Sequence, residues 1–408
     1  MTQTHRLCFA LFAAALLLVG GRASAFDASF PLAWSGATGA TDEFLLPLAD
    51  RFPAELFEQG LTGRARLLYT APGTKSPDGA YSASLTLYDN GSVLTVRGSG
   101  VPAADGSIDA TWTSSGKTPG SVGVKLTRLV TDPQAPLLQG EATVGLRRYP
   151  FFLVPEPYSK AVPYAGSSTV PGPGTYSFFI EHPLLATGTG SGFATISADG
   201  KAKFAGTLAD GSKVSLSAPI LIGGGKHFLA VAGAAGKGGF FGGWAQGDRS
   251  QPDSDWHGVA TSASAGQSAR AGLQFLLSSF NPAAAPVLPW SRGRMHLEFN
   301  PYFFVANGTL AFDGRTRFIA EPRADVANDD SRFLNGANAS AVRINALTLD
   351  PRKGMVKGLI GHMSGPAVLR STLTGALNQK SGVISGRIAP QTATDNPGFF
   401  DITDATFP

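Results

Sequence analysis

Cysteine is almost missing from this sequence: Cys8 is the only one in 408 residues. It sits at the start of an apolar run, Leu7 to Val19, which follows His5 and Arg6 and leads to the small residues Ala23-Ser24-Ala25. That arrangement predicts a signal peptide over residues 1–25, cleaved after Ala25, and an extracytoplasmic mature chain, secreted or on the cell surface. Cleavage removes the thiol, so the mature chain can form no disulfide and offers neither a thiol nucleophile nor a thiolate metal ligand. A lipid-attachment cysteine would directly follow the apolar run, and none does. The run of 13 residues is also short of the roughly 20 that a membrane-spanning helix needs.

Charge is scarce as well. Asp, Glu, Lys and Arg make up 15% of the chain, against about 25% in ordinary proteins. Without the signal segment, 31 basic residues face 29 acidic ones. So small an excess makes no field that would draw in nucleic acid. With 43% apolar residues the chain can bury a core, which excludes disorder. Helix-forming stretches are the last shortage. The 51 Gly and 28 Pro exclude a helical bundle or coiled coil.

What is present reads as β-structure. Residues 26–60 are expected to form a leader, with short helical pieces between Thr41 and Glu58 interrupted by Pro47 and Pro53. From Leu61 the pattern alternates. SLTLY (84–88) and VLTVR (93–97) flank Asn90-Gly91, a strong hairpin signal. The same phrase recurs from Gly192 to Ile220 around Asp199-Gly200 and Asp210-Gly211, and more faintly from Asn345 to Gly361. Thr86, Thr195 and Thr348 would be equivalent, at spacings too unequal for a solenoid. Pro-rich seams occur at 150–173 and 281–290. The expected fold is therefore all-β: two tandem antiparallel β-barrel or barrel-like sandwich units after the leader, at 61–171 and 172–408. The seam at 281–290 is read as a long crossing between strands of the second unit.

Phe-Phe occurs five times, at 151–152, 178–179, 240–241, 303–304 and 399–400. On a strand each pair sends one ring to either face. The outer rings must either be covered by a neighbouring unit or form an aromatic patch for a partner.

Between Gly192 and Trp244, the run GFATISADGKAKFAGTLADGS, then Ser217-Ala218-Pro219 and Gly243-Trp244, resembles a repeat of secreted and surface β-barrel proteins of environmental bacteria. Leu349 to Phe400 is similar to the closing element of that family. The resemblance implies β-barrels at a cell surface and brings no catalytic residues with it.

No local motif carries chemistry. The Gly-rich run 223–243 lacks the spacing of a phosphate-binding loop, and Gly190-Ser191-Gly192 lacks that of a nucleophile elbow. His182, His227, His257, His296 and His362 stand apart from one another, so no local zinc pattern forms. The densest polar cluster is Asp248, Asp253, Asp255 and His257. Its three carboxylates in a turn-rich loop could coordinate calcium, which makes it the candidate metal site, but Asp and Ser are also common in solvated turns and a plain loop is the expected reading. No other cofactor is expected. Asp325, Asp329 and Asp330 form a weaker acidic loop.

The expected function is a structural or binding role at the cell surface, with a surface glycan or a protein as partner. One alternative is a glycan-active enzyme whose carboxylates converge only in three dimensions. A second is an outer-membrane barrel.

Overall fold

The computed structural model describes residues 33–38, 61–89, 92–114, 120–129, 137–181, 189–223, 226–263, 270–299, 304–321, 333–336, 342–364, 367–389 and 398–406. The expected signal segment, the expected helical pieces of the leader, the expected turn at Asn90-Gly91, the acidic stretch at 325–330 and His182 lie outside them. Among the described residues there is no helix, and none that could cross a membrane.

The chain is all-β and antiparallel, as the alternation predicts. The first barrel runs through β1 (Ala33–Thr38), β2 (Leu61–Thr70), β3 (Ala80–Asp89), β4 (Ser92–Gly100), β5 (Ile108–Thr113), β6 (Ser121–Leu129), β7 (Leu137–Val144) and β8 (Arg147–Pro155), in ring order. β1 closes it by pairing with both β2 and β8. Part of the predicted leader is thus a barrel strand.

The second barrel comprises β9 (Gly174–Glu181), β10 (Gly190–Ile196), β11 (Lys201–Thr207), β12 (Lys213–Gly223), β13 (Lys226–Ala235), β14 (Gly239–Gly247), β15 (Trp256–Ala263) and β16 (Arg270–Phe280), closed by β16 on β9. The third ladder holds β17 (Arg292–Phe299), β18 (Phe304–Phe312), β19 (Phe318–Ala320), β20 (Phe333–Gly336), β21 (Val342–Asp350), β22 (Met355–Ser364), β23 (Ala367–Asn378), β24 (Val383–Ile388) and β25 (Gly398–Asp404). β17 pairs with both β25 and β18, which closes this ladder too, while β19 hangs on β18. The span 172–408 therefore contains two closed ladders where the sequence suggested one. The seam at 281–290 is the joint between them, because β16 has already closed its ring on β9 before the seam begins.

Each ring is filled by side chains, as an eight-stranded barrel allows. Leu67, Leu85, Val96, Trp112 and Phe151 fill the first, and Phe178, Phe241, Trp256 and Phe275 the second. Leu297, Ile360, Leu373 and Phe400 fill the third. The abundance of glycine now has a physical reason. A Cβ on Gly140 would stand 2.4 Å from the Phe151 ring, on Gly206 2.5 Å from Phe178, and on Gly386 2.6 Å from Phe400. Small residues opposite large rings let eight strands close around an aromatic core. The predicted Asp-Gly turns also form: Gly106 and Gly211 take φ of 87° and 94°. The preceding Asp105 and Asp210 each accept from the backbone N–H two residues on, at 2.9 and 2.7 Å.

The first seam is not a loose linker. Tyr164 is buried in the core at one end of the second barrel, where its N–H donates to Ala198 O at 2.7 Å and its hydroxyl to Pro171 O. Tyr158 packs on Tyr164 at 4.9 Å and shares a 2.6 Å hydrogen bond with His227 Nε2. The segment caps the barrel.

Candidate functional site

The aspartate loop follows β14 and leads into β15. Asp255 is buried and turned toward the third ladder, where Lys380, on the β23–β24 turn, meets its Oδ1 at 3.3 Å. Ser279 N donates to its Oδ2 at 2.6 Å. Lys380 also donates to the carbonyls of Gln251 and Ser254, and Asn378 Nδ2 donates to Asp253 O at 2.7 Å. Asp248 accepts from Ser250 N at 2.9 Å, and its hydrogen bonds with Ser250 hold its carboxyl below the usual range. Asp253 keeps its side chain in solvent. Among the described residues no group of three or more His, Cys, Asp or Glu could hold a metal ion. The four predicted ligands are therefore not gathered into one set. The loop joins two barrels, and its buried carboxylate is met by a lysine.

A second polar feature sits at the same joint. Burial raises the carboxyl pKa of Glu181, at the end of β9, and Asp401 of β25 raises it further. Burial likewise raises Asp401, partly opposed by His296. An acid whose pKa is raised on folding stabilises the fold fully below its unfolded pKa of about 4, and loses that contribution as pH rises through the folded value. Glu181→Gln is thus expected to melt higher than the parent near pH 7, with the advantage shrinking toward pH 4. Paired thermal melts at the two pH values check it, and an equal difference at both would show that the carboxyl is not desolvated. Other carboxylates in the chain titrate in the opposite sense, so the comparison is between variant and parent.

Grooves on the described surface include the following two. One, of about 660 Å³, lies where the first seam, β16 and the β23–β24 turn meet. Tyr176, Arg249, Asn281 and Gln379 are among its lining residues. Its polar groups are already engaged: Tyr176 donates to Gly172 O at 2.5 Å, Arg249 to Ser167 O at 3.2 Å, and Gln379 bonds both Asn281 and Val287. Burial, with Asp255 adding, pushes the Tyr176 hydroxyl up to about 12.

The other groove, of about 580 Å³, crosses the outer wall of the first barrel over β2 to β5. Outward alternation brings Arg66 and Leu68 of β2, Ser82 and Ser84 of β3, Arg97 and Ser99 of β4, and Thr111 and Thr113 of β5 to one surface, with Ala83 and Gly98 at its floor. No lining residue is acidic or aromatic. Arg66 meets Glu156 at 3.3 Å, whereas Arg97 is exposed and pairs with no acidic side chain among the described residues. Sequence reasoning passed over these residues because Ser, Thr and Arg at alternate positions read as any solvated face.

The groove follows a fault in the ladder. β3 and β4 pair along their full length and β5 pairs with β6 throughout, yet β4 and β5 are joined only at Arg97↔Thr113. At this place the Trp112 indole lies over Gly98, 2.1 Å from where a Cβ on that glycine would be.

No protein-family model matches the sequence, and no curated protein does. Three solved chains are distantly similar, among them two of transferrin-binding protein B. Isotype 1 transferrin-binding protein B from serogroup B Neisseria meningitidis is 9% identical over 84% of this chain, with a TM-score of 0.22, and the match spans 65% of that protein. A variant of transferrin-binding protein B from Haemophilus parasuis is 12% identical over 91% of this chain and 74% of its own, with a TM-score of 0.21.

Proposed function

We propose that this chain is a non-catalytic, extracytoplasmic binding protein that takes acidic ligands on the outer wall of its first barrel. The observation that carries this reading is the Arg97 groove: a concave surface with a row of hydroxyls, a guanidinium that pairs with no acidic side chain among the described residues, and no carboxylate among its described lining. Because the barrel interiors are filled with apolar side chains, binding falls to the outer walls. An outer-membrane barrel would need the reverse, apolar residues outward around a polar lumen. The enzyme alternative finds a carboxylate pair in Glu181 and Asp401, but neither lines either groove.

The test is retention of the mature chain on immobilised polyglutamate and polygalacturonate at low and physiological salt. The parent is expected to bind at least one of them in a salt-sensitive way, and Arg97→Glu to lose most of that binding. Equal retention of parent and Arg97→Glu would overturn the reading.

A further inference from the structure

We infer that the Arg97 groove is one end of a cationic belt that crosses all three ladders and takes a linear acidic polysaccharide. This rests on the binding role proposed for the groove and names its ligand class. Inside the groove, cross-strand pairing sets Arg66 of β2, Ser84 of β3 and Arg97 of β4 in one row, with Thr113 of β5 next to Arg97. Two strand spacings, about 10 Å, separate the two arginines. Arg64, two positions before Arg66 on the same face, carries the belt to the second barrel: its Nη1 donates to Ser217 O of β12 at 3.2 Å. Ser217 is the cross-strand neighbour of Lys203 on β11, and Lys203 that of Thr195 on β10. Phe193 shares that face of β10, and Lys353, in the β21–β22 turn of the third ladder, lies 5.0 Å over its ring. On the third ladder Lys357 of β22 pairs with Thr348 of β21, which bridges to Arg317. Cations thus recur beside hydroxyls on every ladder, and a contact spans each joint.

The carboxylates along this course are already engaged. Glu156 meets Arg66, and Asp199 meets Lys201 at 3.6 Å as well as Ser197. Asp313 accepts from the N–H groups of Arg315, Thr316 and Arg317, and Asp350 from that of Arg352. Arg97, Lys203 and Lys357 are exposed and pair with no acidic side chain among the described residues. They are left to an outside anion. A polymer whose carboxylates recur among hydroxyls matches a wall on which cations recur among Ser and Thr. A folded acidic protein fits less well, because its interface would need buried apolar or aromatic anchors. The exposed large apolar side chain in the groove is Leu68, and Phe193 already lies under Lys353. The belt is also long. Inside the first two barrels alone it covers four strand spacings, about 19 Å, so a ligand that uses all of it must be extended.

The experiment titrates the protein and its variants with trigalacturonate, polygalacturonate and polyglutamate at physiological salt. Compared per sugar unit, the parent is expected to bind polygalacturonate at least about a hundredfold more tightly than trigalacturonate, because contacts along the belt add within one ligand. Lys203→Glu and Lys357→Glu should each weaken polygalacturonate binding by at least about tenfold and leave trigalacturonate, seated in the groove, unchanged. Arg97→Glu should weaken both. All three side chains are exposed, so the variants should melt with the parent. Lys203→Gln, which adds no charge, should show the same loss at smaller size. Full polygalacturonate affinity in both lysine variants, with loss in Arg97→Glu, would overturn the belt and leave the groove in place. Loss in the lysine variants with none in Arg97→Glu would overturn the groove reading and leave a belt on the other two ladders. Polyglutamate binding as tight as that of polygalacturonate would overturn the polysaccharide as the ligand class.

Discussion

Lys380→Met should destabilise the protein by about 3 kcal/mol, the lower end of the range for removing one partner of a buried ion pair. The lysine reaches from the third ladder to a carboxylate on the second barrel whose side chain is only 4% exposed. Methionine keeps the length of the stem but leaves Asp255 charged, with Ser279 N as its remaining donor. It also strips the acceptors Gln251 O and Ser254 O of their donor. The lysine side chain itself is 25% exposed, so water can reach part of the site, which favours the lower figure. Chemical denaturation followed by tryptophan fluorescence measures the loss. The matched control is Asp253→Ala: that side chain is in solvent and the contact to Asn378 uses the backbone carbonyl, so the change should stay within about 0.5 kcal/mol. A calcium site would reverse the order, with Asp253→Ala costing stability only when calcium is present. Equal effects of the two substitutions would mean that the loop is not a joint held by Lys380.

Asp255 shows what local sequence could not say about this loop. Three aspartates and a histidine within ten residues are what an oxygen-rich ion site would contain. The partner that decides the matter is Lys380, 125 positions away, and no spacing rule reaches that far. The barrel count was closer to hand. The three copies of the strand–turn–strand phrase fall one in each ladder: at β3–β4, at β10–β12 and at β21–β22. Counting copies would have given three units, whereas the Pro-rich seams were weighed unequally although both mark a boundary. The strands themselves were legible because alternation and Asp-Gly turns are local. The groove was not. It needs β2, β3, β4 and β5 side by side, which no local pattern shows. The Phe-Phe pairs were half legible. One inner and one outer ring follows from strand geometry, but only the packing of barrel on barrel says what covers the outer one.

That outer ring should matter as much as the inner one, in a different way. Phe240 and Phe241 are adjacent on β14, and both are almost fully buried. Phe241 points into the second barrel, edge-on to Phe275 at 5.5 Å. Phe240 points out and packs with Ala232, Ala263 and Tyr88, the last from the first barrel, its ring 6.1 Å away. Replacing either by Ala should cost about 3–5 kcal/mol, the usual range for deleting a buried ring. The losses should differ in form. Phe241→Ala empties part of a barrel core but leaves the contact between barrels in place, so the single transition should move to lower temperature without splitting. Phe240→Ala removes a contact between barrels. The first barrel should then melt independently of the second, and a single thermal transition should split. The aromatic pair contributes about 0.5–1.5 kcal/mol beyond burial, so Tyr88→Ala should produce the same splitting, and the double variant should be less than additive. Differential scanning calorimetry of the parent and the four variants decides it. If Phe240→Ala and Phe241→Ala lower the same transition equally and Tyr88→Ala leaves it unchanged, the outer ring does not couple the barrels.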